Sequence, residues 1–355
     1  SRHADLWHPR RGPKMIINHM VDRIFRPLYD LLAAHHEPGN TVLCAHPLDL
    51  ASRVASESWH APLVSVVLAP GIIWTVHDTP RANGALLGPA VPRWLKQMQF
   101  WAADRFIAMR MMGAAVNGLR KELGLPPVRH MMKFWLLDCD MLLGLFPNWF
   151  GPQQPDWPAN TRNVGFPLWD APGDRQLSDS VQEFLATGTP PIAFSPGSAN
   201  HAAHQFFRSA VDACQRLGRR GILLTKYDHQ LPPNLPPTVR HFGFVPLSKL
   251  LPRSAALVHH GGIGSCAQGL AAGIPQIVQP MSYDQFDNAR RLIRLGVGKE
   301  IAVRRFTGPR IAAGLSQLLS SSLVAQRCRD LASRCNGPAA LTAACEALEH
   351  SAAAK

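Results

Sequence analysis

A chain of 355 residues, 46% apolar and 17% charged, has the composition of a folded globular protein and exceeds what one hydrophobic core commonly serves, so two domains are expected. Its longest apolar run falls far short of the ~20 residues of a membrane span and its start shows no signal-peptide pattern, so a cytoplasmic protein is expected. The net charge of +13 is dispersed, with no basic run interleaved with aromatics. That speaks against nucleic acid and for an anionic substrate or a peripheral contact with an inner-membrane surface.

In chain order, MIINHMVDRIFRPLYDLLAAHH (15–36) has helical periodicity. TVLCAHP, a helix over 49–59 and PLVSVVLAP form a strand–helix–strand unit. No apolar strand with a glycine-rich turn precedes residue 40, although a doubly wound domain opens on that element. The protein is therefore expected to begin upstream of this chain. All nine tryptophans lie at or before Trp169. That shift in composition, with the Pro, Gly, Asp and Ser of 166–180, predicts a linker and a first domain over 1–170. Beyond it PPIAFSPGS reads as strand and turn, HQFFRSAVDACQRLG as helix, and RGILLTKY and VRHFGFVP as strands. SKLLPRS leads into the buried strand AALV, a glycine turn, the helix SCAQGLAA, the strand PQIVQP and the helix DQFDNARRLIRLG. Strands alternating with helices predict an α/β protein with parallel, doubly wound sheets. A second domain is expected over 171–330, and a helical segment over 331–355 that packs back on the first. The seven cysteines are scattered with no CxxC, and are read as reduced thiols, with no metal or cofactor expected.

The densest chemistry lies in VHHGGIGSCAQGLAAGIPQIVQPMSYDQFDNA (258–289). Glycines at a strand-to-helix turn leave N–H groups and the positive end of a helix facing one spot, whose usual occupant is a phosphate. Gly262-x-Gly264-x-x-Ala267, with Asp284 about twenty residues on, also matches a dinucleotide fingerprint. Against a dehydrogenase, the motif comes late, histidines occupy the strand end, and Asp284 opens a helix instead of ending a strand.

The whole run resembles the donor-site signature of nucleotide-sugar glycosyltransferases of the GT-B fold, which have two facing Rossmann-like domains. The shared features are the HHGG-x-G-[ST] turn, the AG-x-PQ pair, a second proline and D-Q-x-x-N-A, extended by FSPGS (194–198) and FVPLSKLLP (244–252). Within that fold the chain is most similar to the rhamnosyltransferase family of rhamnolipid synthesis. DLWHPRRG, PLYDLL, FPNWF, DWP, GFPLWD, GILLT and LVHHGGIG carry that similarity over nearly all residues. The family opens on a Gly-rich loop that carries the catalytic base. The resemblance thus implies an N-terminal domain incomplete at its start, and the catalytic residue is unknown here.

It further implies that His259 hydrogen-bonds the diphosphate, with Gly261, Gly262, Gly264 and Ser265 cradling it through N–H groups and the Ser265 hydroxyl. Gly197 and Ser198 touch it from the SPGS turn. Phe244 stacks on the base, the Val245 backbone reads its edge, and Asp284 and Gln285 bind the sugar hydroxyls. Gln268 stands where many relatives carry a Glu that grips the ribose, which suits a dTDP-sugar. His260 is read as structural, Cys266 as small and buried, His201 and His204 as surface residues, and His77 as an acceptor-site candidate. Phe100, Trp101, Phe106, Met109 and Met112, at near-helical spacing, and HMMKFWLL (130–137) suit either a flexible lipid acceptor or a core-facing stripe. The implied reaction is inverting transfer of L-rhamnose from dTDP-L-rhamnose to the hydroxyl of a 3-(3-hydroxyalkanoyloxy)alkanoate. Transfer of a UDP- or dTDP-hexose to a sterol, polyketide or other lipophilic acceptor stays open, as does a non-catalytic nucleotide-sugar-binding remnant.

Overall fold

The computed structural model describes residues 8, 11–82, 87–170, 176–198 and 200–353. Most of DLWHPRRG, and residues 171–175 of the expected linker, lie outside the described residues. The chain forms two compact units: one runs to Pro167 and takes up Pro338–Lys355, and the other is Leu168–Gly337.

Among the described residues the first unit holds a four-stranded sheet of β1 (Leu43–Ala45), β2 (Leu63–Val67), β3 (Met141–Gly144) and β4 (Thr161–Asn163). The strands are parallel and adjacent in that order. The sequences of β2 and β3, LVSVV and MLLG, are almost wholly apolar, as befits strands covered on both faces. One face meets the helices Ala51–Trp59 and Met109–Glu122 through Leu43, Leu63, Val54 and Val116. On the other, Ala347 of the C-terminal helix Gly337–Ala353 packs with Val64, Met141 and Leu143. The long helical stretch near the start breaks into Arg11–His19 and Phe25–Ala34 around a wide turn at Met20–Ile24.

The second unit holds β5 (Ile192–Ser195), β6 (Gly221–Leu224), β7 (Val239–Phe242), β8 (Ala256–His259), β9 (Gln276–Val278) and β10 (Gly298–Glu300). Their order is β10-β9-β8-β5-β6-β7, all parallel. The chain starts mid-sheet, winds to one edge, returns and winds to the other, which is the doubly wound topology. Successive side chains point to opposite faces. Ile192, Phe194, Leu223 and Val258 pack with Phe207, Ile311 and Leu315 on one side. Ala193, Ile222 and Leu257 pack with Val181, Leu250 and Leu251 on the other.

Candidate functional site

β5 and β8 are neighbours from the two halves of the winding, and their ends are in register, Ser195 opposite His259. At such a switch point the following loops diverge and open a crevice beyond the carboxyl ends of the strands, where ligands bind. After β5 the chain turns at Gly197, whose φ is +95°, and Asn200 N–H closes the turn on the Gly197 carbonyl at 3.1 Å. After β8 it passes Gly261, at φ +96°, and enters the helix Ile263–Ala271 with Gly262 as its cap. The cap residue, a glycine, has no side chain to bond the first-turn N–H groups of that helix, so those donors and the positive helix end face the crevice. A Cβ on Gly264 would meet nothing within 4 Å. A ligand can therefore approach this backbone closely. Ser265 beside it is half-buried, and Ser198 across the crevice is exposed.

The two histidines sit in different surroundings. His259 is the last residue of β8 and is 0% exposed. Its Nδ1 accepts the Gly261 N–H at 3.2 Å, which leaves the proton on Nε2 to be donated to Gln276 Oε1 at 3.0 Å. Burial pushes its pKa down to about 3, with neighbouring His260 adding to the effect and the Gln276 bond opposing it. His259 is a neutral internal brace with both ring nitrogens engaged by the protein. His260 follows it, and strand alternation turns its side chain the other way. Its ring lies between the two glycine loops: a Cβ on Gly262 would stand 2.5 Å from Nε2, and one on Gly197 3.0 Å from Cε1. Its Nδ1 is buried and without a hydrogen-bond partner among the described residues. Burial holds its pKa at about 4, opposed in part by the Ser195 backbone. A buried polar atom without a partner costs about 1–3 kcal/mol, and an anion relieves that cost when the ring carries a proton on Nδ1.

The sugar-side candidates lie at the start of the helix Gln285–Arg294. Asp284 Oδ2 accepts from Asn288 Nδ2 at 2.7 Å, and the same nitrogen donates to the Gly261 carbonyl at 2.9 Å. Asn288 belongs to the D-Q-x-x-N-A run, which gives it no role by itself, yet it ties the glycine turn to the carboxylate. Burial raises the Asp284 pKa, and the Asn288 bond works against that rise. Gln285 is engaged by the protein itself. It is 3% exposed, and its Oε1 takes the N–H groups of Met281 and Ser282 at 2.8 and 3.1 Å, bracing the loop beneath Asp284. Gln268 also turns inward, its Nε2 donating to the Leu168 carbonyl at 3.3 Å. Phe244 stands 57% exposed after β7, while the Val245 side chain is in the core and anchors that loop. Cys266 is buried and its Sγ rests on the Gly261 carbonyl at 3.6 Å.

His201 is not a simple surface residue. Its Nε2 lies 3.2 Å from the Tyr227 hydroxyl and the rings are 4.4 Å apart, whereas His204 is exposed. In the first unit His77 follows β2 on a loop held by Asp156, which accepts from Thr75 Oγ1 and Val76 N–H. The expected acceptor stripe divides. Met112 is 1% exposed in the core, Met109 packs against that core and Phe100 against Trp74, while Trp101 and Phe106 are exposed. All seven cysteines are unpaired, and no metal-binding cluster occurs among the described residues.

A family model, Erythromycin biosynthesis protein CIII-like, C-terminal domain, matches residues 220–348. Over 290 residues the chain is 29% identical to O-mycaminosyltylonolide 6-deoxyallosyltransferase of Streptomyces fradiae, covering 80% of this chain and 66% of that protein. Over 279 residues it is 33% identical to Glycosyltransferase GtfC of Amycolatopsis orientalis, covering 76% of this chain and 64% of that one. It spans between about half and two thirds of the length of the curated relatives it matches. The solved structure of glycosyltransferase VinC in complex with dTDP shares the fold, with a TM-score of 0.66 at 17% identity over 100% of this chain and 84% of that one.

Proposed function

We propose that this chain is a nucleotide-sugar glycosyltransferase of the GT-B fold, whose Leu168–Gly337 unit holds the diphosphate of the donor while its sugar is transferred, with inversion, to a lipophilic hydroxyl. The observation that carries the reading is His260, with a buried, unpartnered Nδ1 set between two glycine loops beside an uncapped helix N-terminus. As the bond to the sugar breaks, negative charge grows on the departing diphosphate. Fixed N–H donors and a neutral imidazole stabilise that charge without reorganising. Asp284, held by Asn288, is offered to the sugar hydroxyls. No described residue is assigned as the base for the acceptor proton.

We take the donor to be dTDP-L-rhamnose. The VinC complex with dTDP and the S. fradiae relative named for a 6-deoxyhexose both favour a dTDP-deoxysugar. The acceptor we favour is a 3-(3-hydroxyalkanoyloxy)alkanoate, whose carboxylate suits a chain of net charge +13. A macrolide-like acceptor is the second reading, and the tylonolide in that relative's name supports it. Thermal unfolding with dTDP, UDP and NAD⁺ tests the donor. A ligand at 100 times its Kd adds about 2.7 kcal/mol of stability, so stabilisation by dTDP above UDP is expected. A folded chain that responds to neither nucleotide contradicts the proposal.

A further inference from the structure

The acceptor stripe divided because a different row of residues faces solvent. In the helix Arg93–Ala103, Trp94, Met98 and Trp101 recur at i, i+4 and i+7, which places them on one side. They are 59%, 57% and 58% exposed. The opposite side anchors the helix: Lys96 is buried with its Nζ on the carbonyls of Val76 and Pro89, and Phe100 meets Trp74 at 5.1 Å. The next turn, Asp104–Ala108, is a wide π turn that brings out Phe106 and Ile107, 50% and 58% exposed. Trp101 and Phe106 meet edge to face at 5.8 Å, so the row is continuous. The turn is pinned from behind, where Asp104 Oδ1 accepts the Met132 N–H at 2.7 Å and Oδ2 lies 3.4 Å from His130 Nδ1.

Charge accompanies this apolar row. Arg93 and Arg105 are exposed on the same two elements and Arg110 is exposed at the start of the next helix, Met109–Glu122, and no ion pair involves them among the described residues. Between Arg93 and Lys121 Asp104 is the only acid in the sequence, and it is buried. Side chains left half or more exposed lack the enclosing walls of a small-molecule site. Two tryptophans with Phe, Ile and Met beside unpaired arginines are the composition of a helix that lies in a bilayer interface. No described helix is long and apolar enough to cross a membrane, so the contact is lateral.

We infer that Trp94, Met98, Trp101, Phe106 and Ile107, with Arg93, Arg105 and Arg110, dock this chain on an anionic phospholipid surface. The occupant is a bilayer of net negative charge, because a neutral one would leave the three arginines without a counterpart. The inference is independent of the donor and acceptor readings.

The test is vesicle flotation of the 355-residue chain. Vesicles of equal phosphatidylglycerol and phosphatidylcholine are compared with pure phosphatidylcholine, at about 0.15 M and 0.5 M salt, the higher of which shortens screening. Binding to the anionic vesicles that weakens with salt is expected. Trp94→Ser with Trp101→Ser should lower partition about tenfold or more. Arg93→Ser with Arg105→Ser should lower it about fivefold per arginine removed. Exposed positions tolerate both changes, and an unchanged Tm confirms that each variant is folded. Equal partition of wild type and both variants, or no preference for the anionic vesicles, overturns the inference. So does a light-scattering mass that drops from dimer to monomer in the tryptophan variant, which would make the occupant a second copy.

Discussion

Replacing His259 and His260 separately should produce opposite phenotypes. His260→Ala removes a donor held for the ligand. If it makes one charge-assisted bond to the diphosphate, its loss costs about 1.5–3 kcal/mol of binding, or about 10- to 150-fold in Kd for dTDP or UDP. The empty protein should change little in stability, because the deleted ring leaves a cavity but also removes an unpartnered buried Nδ1. His259→Ala acts on the fold instead. It strips the Gly261 N–H and Gln276 Oε1 of their partner at a 0% exposed position. Two groups left wanting at about 1–3 kcal/mol each lower Tm by several degrees, at about 2–4 °C per kcal/mol for a unit of this size. The affinity of the still-folded molecules should stay within a few-fold of wild type. Calorimetric titration with dTDP below the Tm of each variant separates the two. A His259→Ala protein that is stable but does not bind, beside a His260→Ala protein that binds normally, would refute the assignment.

Gly264→Ala should move stability and affinity in opposite directions. A methyl there meets nothing in the protein and favours the helix by up to about 1 kcal/mol, yet it occupies the space offered to the diphosphate, so a raised Tm with a weaker dTDP Kd is expected. The pH dependence has a definite sign. His259 and His260 titrate at about 3 and about 4 when folded and near 6.5 when unfolded. The unfolded chain therefore binds more protons between those values, and stability is full above about pH 6.5 and lost as pH falls toward 4; denaturant midpoints from pH 8 to 4.5 measure this, and a flat profile would contradict it. Bound diphosphate should raise the His260 pKa, so dTDP binding takes up a fraction of a proton near pH 5.5 that His260→Asn does not. Asn288→Leu removes the bond that opposes the rise in the Asp284 pKa, and the acidic limb of the activity profile should shift upward in pH, a change that loss of packing alone would not produce.

The strand–turn–helix–strand core of the second unit was legible because Gly and Pro punctuate it and its strands are short apolar runs. The helix expected over 265–272 forms at Ile263–Ala271. Where such punctuation is missing, the pattern gives no warning. β3 (MLLG) continues an apolar stretch that scans as helix, β4 (TRN) is three polar residues, and β10 (GKE) follows a helix within a few residues. The two histidines show a limit of another kind. Adjacent identical residues at a strand end differ only in which face each points to, and that depends on the register with β9, where Gln276 awaits His259. A Cβ on Gly262 would stand 2.5 Å from His260 Nε2, so a glycine there permits the close approach of that ring. The motif positions of Gln268 and Gln285 imply an outward role, but their partners, the Leu168 carbonyl and two loop N–H groups, exist only in the folded unit.

A crystal structure of this chain with dTDP tests the central claim most directly. Phosphate oxygens are expected about 2.7–3.2 Å from His260 Nδ1 and from N–H groups of the first turn of Ile263–Ala271, with the His259–Gln276 bond intact. A well-ordered nucleotide whose diphosphate lies elsewhere, or one bonded to His259 instead of His260, would contradict it.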